Sequence, residues 1–172
     1  MSQGRIDPVV AVLPSGRVLV AGGYGPVAQG GYGPLASVEI YDPATGLFAA
    51  TGSMSVPRWR LTATSLADGQ ILIVGGSDAS FSALDTAEIY DPATGAFTAL
   101  EARLTRARSS HTATLLPGGD VLIAGGCQSF SCPHTTAERF DAVNQARTAD
   151  ATGSRRSPSV ERASPRLRCP RP

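Results

Sequence analysis

The apolar and polar positions of this chain repeat with a period near fifty residues. Three runs, Val18–Ala21, Ile71–Val74 and Val121–Ala124, are apolar at every position, and each ends on a glycine pair. A short run rich in β-branched residues predicts a strand covered on both faces. Upstream, His111, Ala113 and Leu115 alternate with Thr112, Thr114 and Leu116, which predicts a strand over 108–116 with two unlike faces. Asp68-Gly69 and Gly118-Gly119 supply tight hairpins between these two strands. A third predicted strand ends at Tyr41 or Tyr90. Asp-Pro-Ala-Thr-Gly then turns the chain into a fourth, Leu47–Ala50 or Ala96–Leu100. In that turn Pro presets φ, Asp caps, and Gly takes the left-handed position.

The landmarks keep their order and spacing. The glycine pairs Gly22-Gly23, Gly75-Gly76 and Gly125-Gly126 lie 53 and 50 residues apart, and Glu39, Glu88 and Glu138 lie 49 and 50 apart. The four-residue excess sits between Gly23 and Glu39. Arg5, Arg58 and Arg108 recur eight residues before Leu13, Leu66 and Leu116. A repeat of this length cannot bury its own core, so neighbours must stack. The glycine pairs then mark places where adjacent sheets crowd and a Cβ would clash. The recurring Arg and Glu are expected to form bidentate pairs tying strands or units together. Three units result, about 5–55, 56–105 and 106–153. In the last, Ala142, Gln145 and Arg147 replace the Pro43, Gly46 and Phe48 of the first. Residues 154–172 are basic and rich in Pro, Arg and Ser, too poor in apolar residues to offset ordering entropy, and are expected to be disordered.

Four antiparallel strands per unit, a glycine pair and a later aromatic resemble the kelch repeat, over roughly residues 5–146. The resemblance implies an all-β fold of propeller blades, like those of the galactose oxidase central domain. The fourth strand of that family carries a Trp; here Phe48 and Phe97 fill the place. Propellers close at four to eight blades. Three blades imply an incomplete propeller: a fragment or frame-shifted product of a longer one, or a chain that self-associates to complete the ring.

Composition narrows the function. Net charge is +1, against a general nucleic-acid surface. Yet residues 147–172 carry +5 and residues 1–146 carry −4. No apolar run reaches a membrane span, and no basic segment followed by an apolar one marks an export signal. The resemblance points instead to bacterial secreted or cell-surface proteins, and leaves the compartment open.

What does not repeat carries the functional candidates. Cys127 and Cys132 flank a four-residue loop followed by His134. They read as a disulfide, as two free thiols, or, with His134, as the start of a zinc site lacking a fourth ligand. The loop after the first glycine pair holds a direct duplication, Gly-Gly-Tyr-Gly-Pro-Val-Ala and Gly-Gly-Tyr-Gly-Pro-Leu-Ala. It is either a recognition loop exposing Tyr24 and Tyr32 or an inert flexible insertion. Phe81 and Phe130 stand in the corresponding loops of the other units. These loops gather on one expected binding face. The resulting reading is a non-catalytic segment that binds a protein or a glycan, with no catalytic residue and no cofactor. The alternatives are a fragment of a galactose-oxidase-like or other propeller enzyme, or a remnant without activity. The copper chemistry of galactose oxidase transfers to no residue: only His111 and His134 are present, and His111 lies in strand register.

Overall fold

The computed structural model describes residues 1–28, 30–128 and 135–141. Their regular elements are all strands. The first unit is a four-stranded antiparallel sheet of β1 (Val9–Val12), β2 (Val18–Ala21), β5 (Val38–Asp42) and β6 (Leu47–Ala50). A separate hairpin, β3 (Tyr24–Pro26) and β4 (Tyr32–Pro34), projects between β2 and β5. The second unit is β7 (Thr62–Ser65), β8 (Ile71–Val74), β9 (Ala87–Asp91) and β10 (Ala96–Ala99). Of the third, the described residues form β11 (Thr112–Leu115), β12 (Val121–Ala124) and β13 (Ala137–Phe140). The expectations for residues beyond Asp141, including the tail, fall outside the described residues. β1 lies against β7 and β7 against β11, so the three blades fan out from their first strands.

Strand alternation assigns each blade two apolar faces. In β8, Ile71 and Ile73 pack toward the first blade with Leu19, Ala21, Val38 and Ile40, whereas Leu72 and Val74 pack toward the third with Val121, Ile123 and Phe140. The core is therefore two separate layers between blades, as repeat stacking requires. β8 is buried throughout, but in β12 only Val121 and Ile123 are, because Leu122 and Ala124 turn outward. Phe97 and Phe48 each tilt onto the tyrosine across the strand pair, Tyr90 and Tyr41, at 4.9 Å. Phe97 is covered by the first blade; Phe48 stays exposed.

The first two glycine pairs sit where two blades meet. Gly76 has φ +98°, and a Cβ on it would lie 2.8 Å from the Trp59 carbonyl oxygen. Its N–H donates to the Arg108 carbonyl of the next blade at 3.0 Å, as Gly23 N–H donates to Arg58 at 3.1 Å. The Asp-Pro-Ala-Thr-Gly turns close as expected: Asp42 and Asp91 each accept from the amide two residues on at 2.8 Å, and Gly46 and Gly95 have φ near +71°.

The recurring arginines are buried, and their pairing is not bidentate. Arg58 Nη2 donates to Glu88 Oε1 at 2.7 Å, while Nη1 donates to the Gly75 and Thr86 carbonyls at 3.0 and 3.2 Å. The other carboxylate oxygen accepts the Ser55 amide at 2.8 Å. Arg108 and Glu138 repeat this with Gly125, Thr136 and the Thr105 amide. Arg5 and Glu39 repeat it with Gly22, Ser37 and Ser2. The fork is divided because the guanidinium must also satisfy carbonyls freed where β2, β8 and β12 end. Burial draws Arg58 below its ordinary range, with Glu88 opposing. Burial would raise Glu39, but the Ser2 amide and hydroxyl together with Arg5 outweigh it, so its carboxyl lies below the usual carboxylate range.

The strand expected over 108–116 starts only at Thr112. Ser110 has φ 53°, and its counterparts Asp7 and Arg60 have φ 49° and 54°. This left-handed residue turns the chain two positions after each arginine and so separates the arginine from the strand. Beyond it, His111 is buried against the second blade, with Nε2 2.9 Å from Thr62 Oγ1.

Two outcomes follow. Gly76→Ala should lower the unfolding midpoint by an amount equivalent to about 2 kcal/mol, because it combines strained φ with a backbone clash. Gly118→Ala, whose Cβ would meet nothing within 4 Å, should cost less than about 1 kcal/mol. Urea melts of the two variants check this. Burial first, then Arg108, depress His111 from 6.5 to about 4, against Glu138. Between those values the unfolded chain binds a proton that the folded chain does not, so stability should fall by about 3 kcal/mol as pH drops through that window. His111→Leu, copying Leu61 of the second blade, should flatten this part of the stability–pH curve.

Candidate functional site

The three blades present equivalent segments at one end. The residue after each arginine forms an isolated bridge to the segment following that blade's glycine pair: Ile6 to Tyr24, Trp59 to Ser77, and Ser109 to Cys127. The register is common to the three units, but the side chains are not. The scaffold thus repeats while the surface it carries differs from blade to blade.

In the first blade the duplicated sequence pairs with itself. Tyr24 opposes Pro34, Gly25 opposes Gly33, and Pro26 opposes Tyr32. The duplicated segment forms a two-stranded hairpin, because two copies of Tyr-Gly-Pro joined by Gly30-Gly31 at φ +87° and +85° can fold back in register. The Tyr24 hydroxyl donates to the Tyr32 carbonyl at 3.1 Å. Of the two tyrosines expected to stand exposed, Tyr32 does, at 69%, and Tyr24 is half-buried.

Tyr24 is covered because it lies against Trp59, with ring centres 5.2 Å apart and planes tilted by 52°. Phe81 meets the same indole edge-on at 5.9 Å. The Arg60 guanidinium lies 4.1 Å from the centre of the Trp59 ring. Edge-to-face and tilted rings at these separations are attractive, and a cation over an indole adds about 0.5–1 kcal/mol at an exposed site. The Phe81 loop is held by Asp78, whose Oδ1 accepts the Ser80 and Ser82 amides at 2.9 Å. This places Phe81 at φ 61° and half in solvent. The result is a ledge across the first two blades: Tyr32, Tyr24, Trp59 and Phe81, with the charge of Arg60 on top.

The structure therefore brings Tyr24 and Phe81 together and sets Tyr32 on the same hairpin. Trp59 and Arg60, which join them, are missing from the sequence-derived candidates. A signal existed: Trp59 is the single Trp of the chain and immediately follows a repeated arginine. Phe130, Cys132 and His134 lie outside the described residues. Cys127 is disulfide-bonded and pairs through its backbone with Ser109 at 2.8 and 2.9 Å. Among the described residues no three His, Cys, Asp or Glu side chains come together as a metal-binding group, and no helix is long and apolar enough to cross a membrane.

Comparison with known proteins places this geometry. Residues 58–101, the second blade from its arginine onward, match the kelch motif. No curated protein matches the chain. Among solved structures, that of YjhT superposes with a TM-score of 0.72 at 12% identity, over 81% of this chain and 49% of that one. The chain thus spans about half the length of that structure. The fold is thus that of β-propeller blades, three of which are described, and the second of them matches the kelch motif.

Proposed function

We propose that this segment is a non-catalytic binding module, and that the loop end of its first two blades holds a protein partner. The observation that carries this reading is the ledge of Tyr32, Tyr24, Trp59 and Phe81 under Arg60. Trp, Tyr and Arg are the residue types that dominate binding energy at protein interfaces, and a Tyr- and Gly-rich hairpin suits adaptable recognition. The repeat reserves the Arg–Glu pairs for the scaffold, which leaves this unrepeated cluster for a ligand. A glycan would stack on an open aromatic face. Arg60 already covers the Trp59 ring, which favours a partner presenting a carboxylate beside an apolar side chain. The disulfide at Cys127, which we assign to Cys132, fits an oxidising compartment and so an extracytoplasmic protein.

Trp59, as the single Trp, reports on its own site. Peptides selected from a random displayed library on the immobilised chain should shift its emission on titration. Arg60→Ala and Phe81→Ala should each weaken the selected peptides about tenfold, near 1.4 kcal/mol, while lowering stability in urea melts by no more than about 1 kcal/mol. Peptides that bind both variants as tightly as the native chain would remove the site. Emission changes produced instead by members of a soluble oligosaccharide panel would move the reading to a glycan.

A further inference from the structure

The outward face of the first blade carries apolar side chains against which, among the described residues, no blade lies. Val10 and Val12 are 58% and 63% exposed, and Phe48 is 37% exposed beside Tyr41. Register puts these side chains on one surface: Val10 opposes Val20, Val12 opposes Val18, Val18 opposes Tyr41, and Tyr41 opposes Phe48. On the second blade the matching surface, with Ile71, Ile73 and Tyr90, is buried by the first blade. A contiguous apolar surface of this kind marks an interface.

The third blade shows the complementary half. Leu122, Ala124 and Ala137 occupy the positions of Leu72, Val74 and Ala87, which the third blade itself buries on the second. They are half-buried. Gly126, at φ +90°, stands where Gly23 and Gly76 donate N–H to the arginine carbonyl of the following blade. Arg5 brings a carbonyl in that position to the first blade. Arg139 replaces the Ile89 of the second blade, and its charge is neutralised by Asp120 at 3.2 Å. One end of the fan therefore has the parts of a blade's leading face and the other those of its trailing face.

We propose that a second copy of this chain occupies both ends. The third blade of each copy docks on the first blade of the other, so that two copies close a six-bladed ring through joints repeating the two within the chain. Three observations select this occupant. The joint is continuous with an interface already built twice in the chain. Six blades lie within the range at which propellers close. The chain spans 49% of a solved structure on which it superposes at a TM-score of 0.72, so two copies supply that length. The joint is head to tail, and closure after two copies keeps it from growing into a fibre.

Light scattering on the 172-residue chain should give twice its mass. Val12→Glu alters only the first-blade face and Thr114→Glu only the exposed third-blade face, so both variants should keep the native urea midpoint at dilutions where the chain is monomeric. Each alone spoils both joints and should be monomeric at least tenfold above the native dissociation concentration. An equimolar mixture retains one intact joint and should recover dimer that neither variant forms alone. A native monomer, an open-ended polymer, or a mixture no more dimeric than its components would overturn the proposal. Loss of dimer in Val12→Glu with none in Thr114→Glu would replace it with a two-fold pairing of first blades.

Discussion

Everything in this fold depends on a cation held out of water. Arg58 has no exposed side-chain surface, and a guanidinium in such a place is tolerable only when its donors are occupied and its charge is balanced. The chain meets both conditions with groups that the blade leaves over: the Gly75 and Thr86 carbonyls at the ends of β8 and β9, and the Glu88 carboxylate within β9. Because Glu88 also takes the Ser55 amide, the pair ties the segment linking two blades to the middle of the sheet it leads into. Replacing either partner by an apolar residue would leave several backbone groups unanswered. That explains why Arg and Glu recur at fixed distance where apolar residues would fill the same volume.

The glycine pair and the left-handed residue after each arginine are the steric complement of that arrangement. The guanidinium reaches the first glycine carbonyl only if the chain turns sharply on either side of it. The second glycine lets the neighbouring backbone come to hydrogen-bond distance. The stack follows: apolar layers between blades, each sealed at one end by a buried ion pair. His111 belongs to this seal. It faces Thr62 across the joint in its neutral form, and the cost of charging it there makes the joint sensitive to mild acid.

What repeats was legible in the sequence. The period located the strands; Gly-Gly, Asp-Pro-Ala-Thr-Gly and the Arg–Glu spacing located the turns and the pairs, because each places a specific demand on residue type. What does not repeat was less legible. Asp7, Arg60 and Ser110 share one backbone conformation with no common side chain, so nothing in their identities announces it. Trp59 has Ile6 and Ser109 as counterparts and escaped notice for the same reason, although it organises the aromatic ledge. The duplicated Tyr-Gly-Pro segments had loop composition, and only three-dimensional register shows that each is the other's strand partner. The binding surface is thus the part least written in the repeat, as expected when a common scaffold carries different surfaces.

That hairpin also shows how such a surface can change. Leu35 N–H closes on the Gly23 carbonyl at 2.8 Å, and Leu84 N–H closes on Gly76 at the same distance in the second blade. The two loops differ by four residues, yet both begin and end on the same pair of atoms. The base is a fixed socket and the tip a cassette. Sequence can be inserted, duplicated or exchanged there without moving β5 or β9, so variation in what the blade recognises is uncoupled from the stability of the stack.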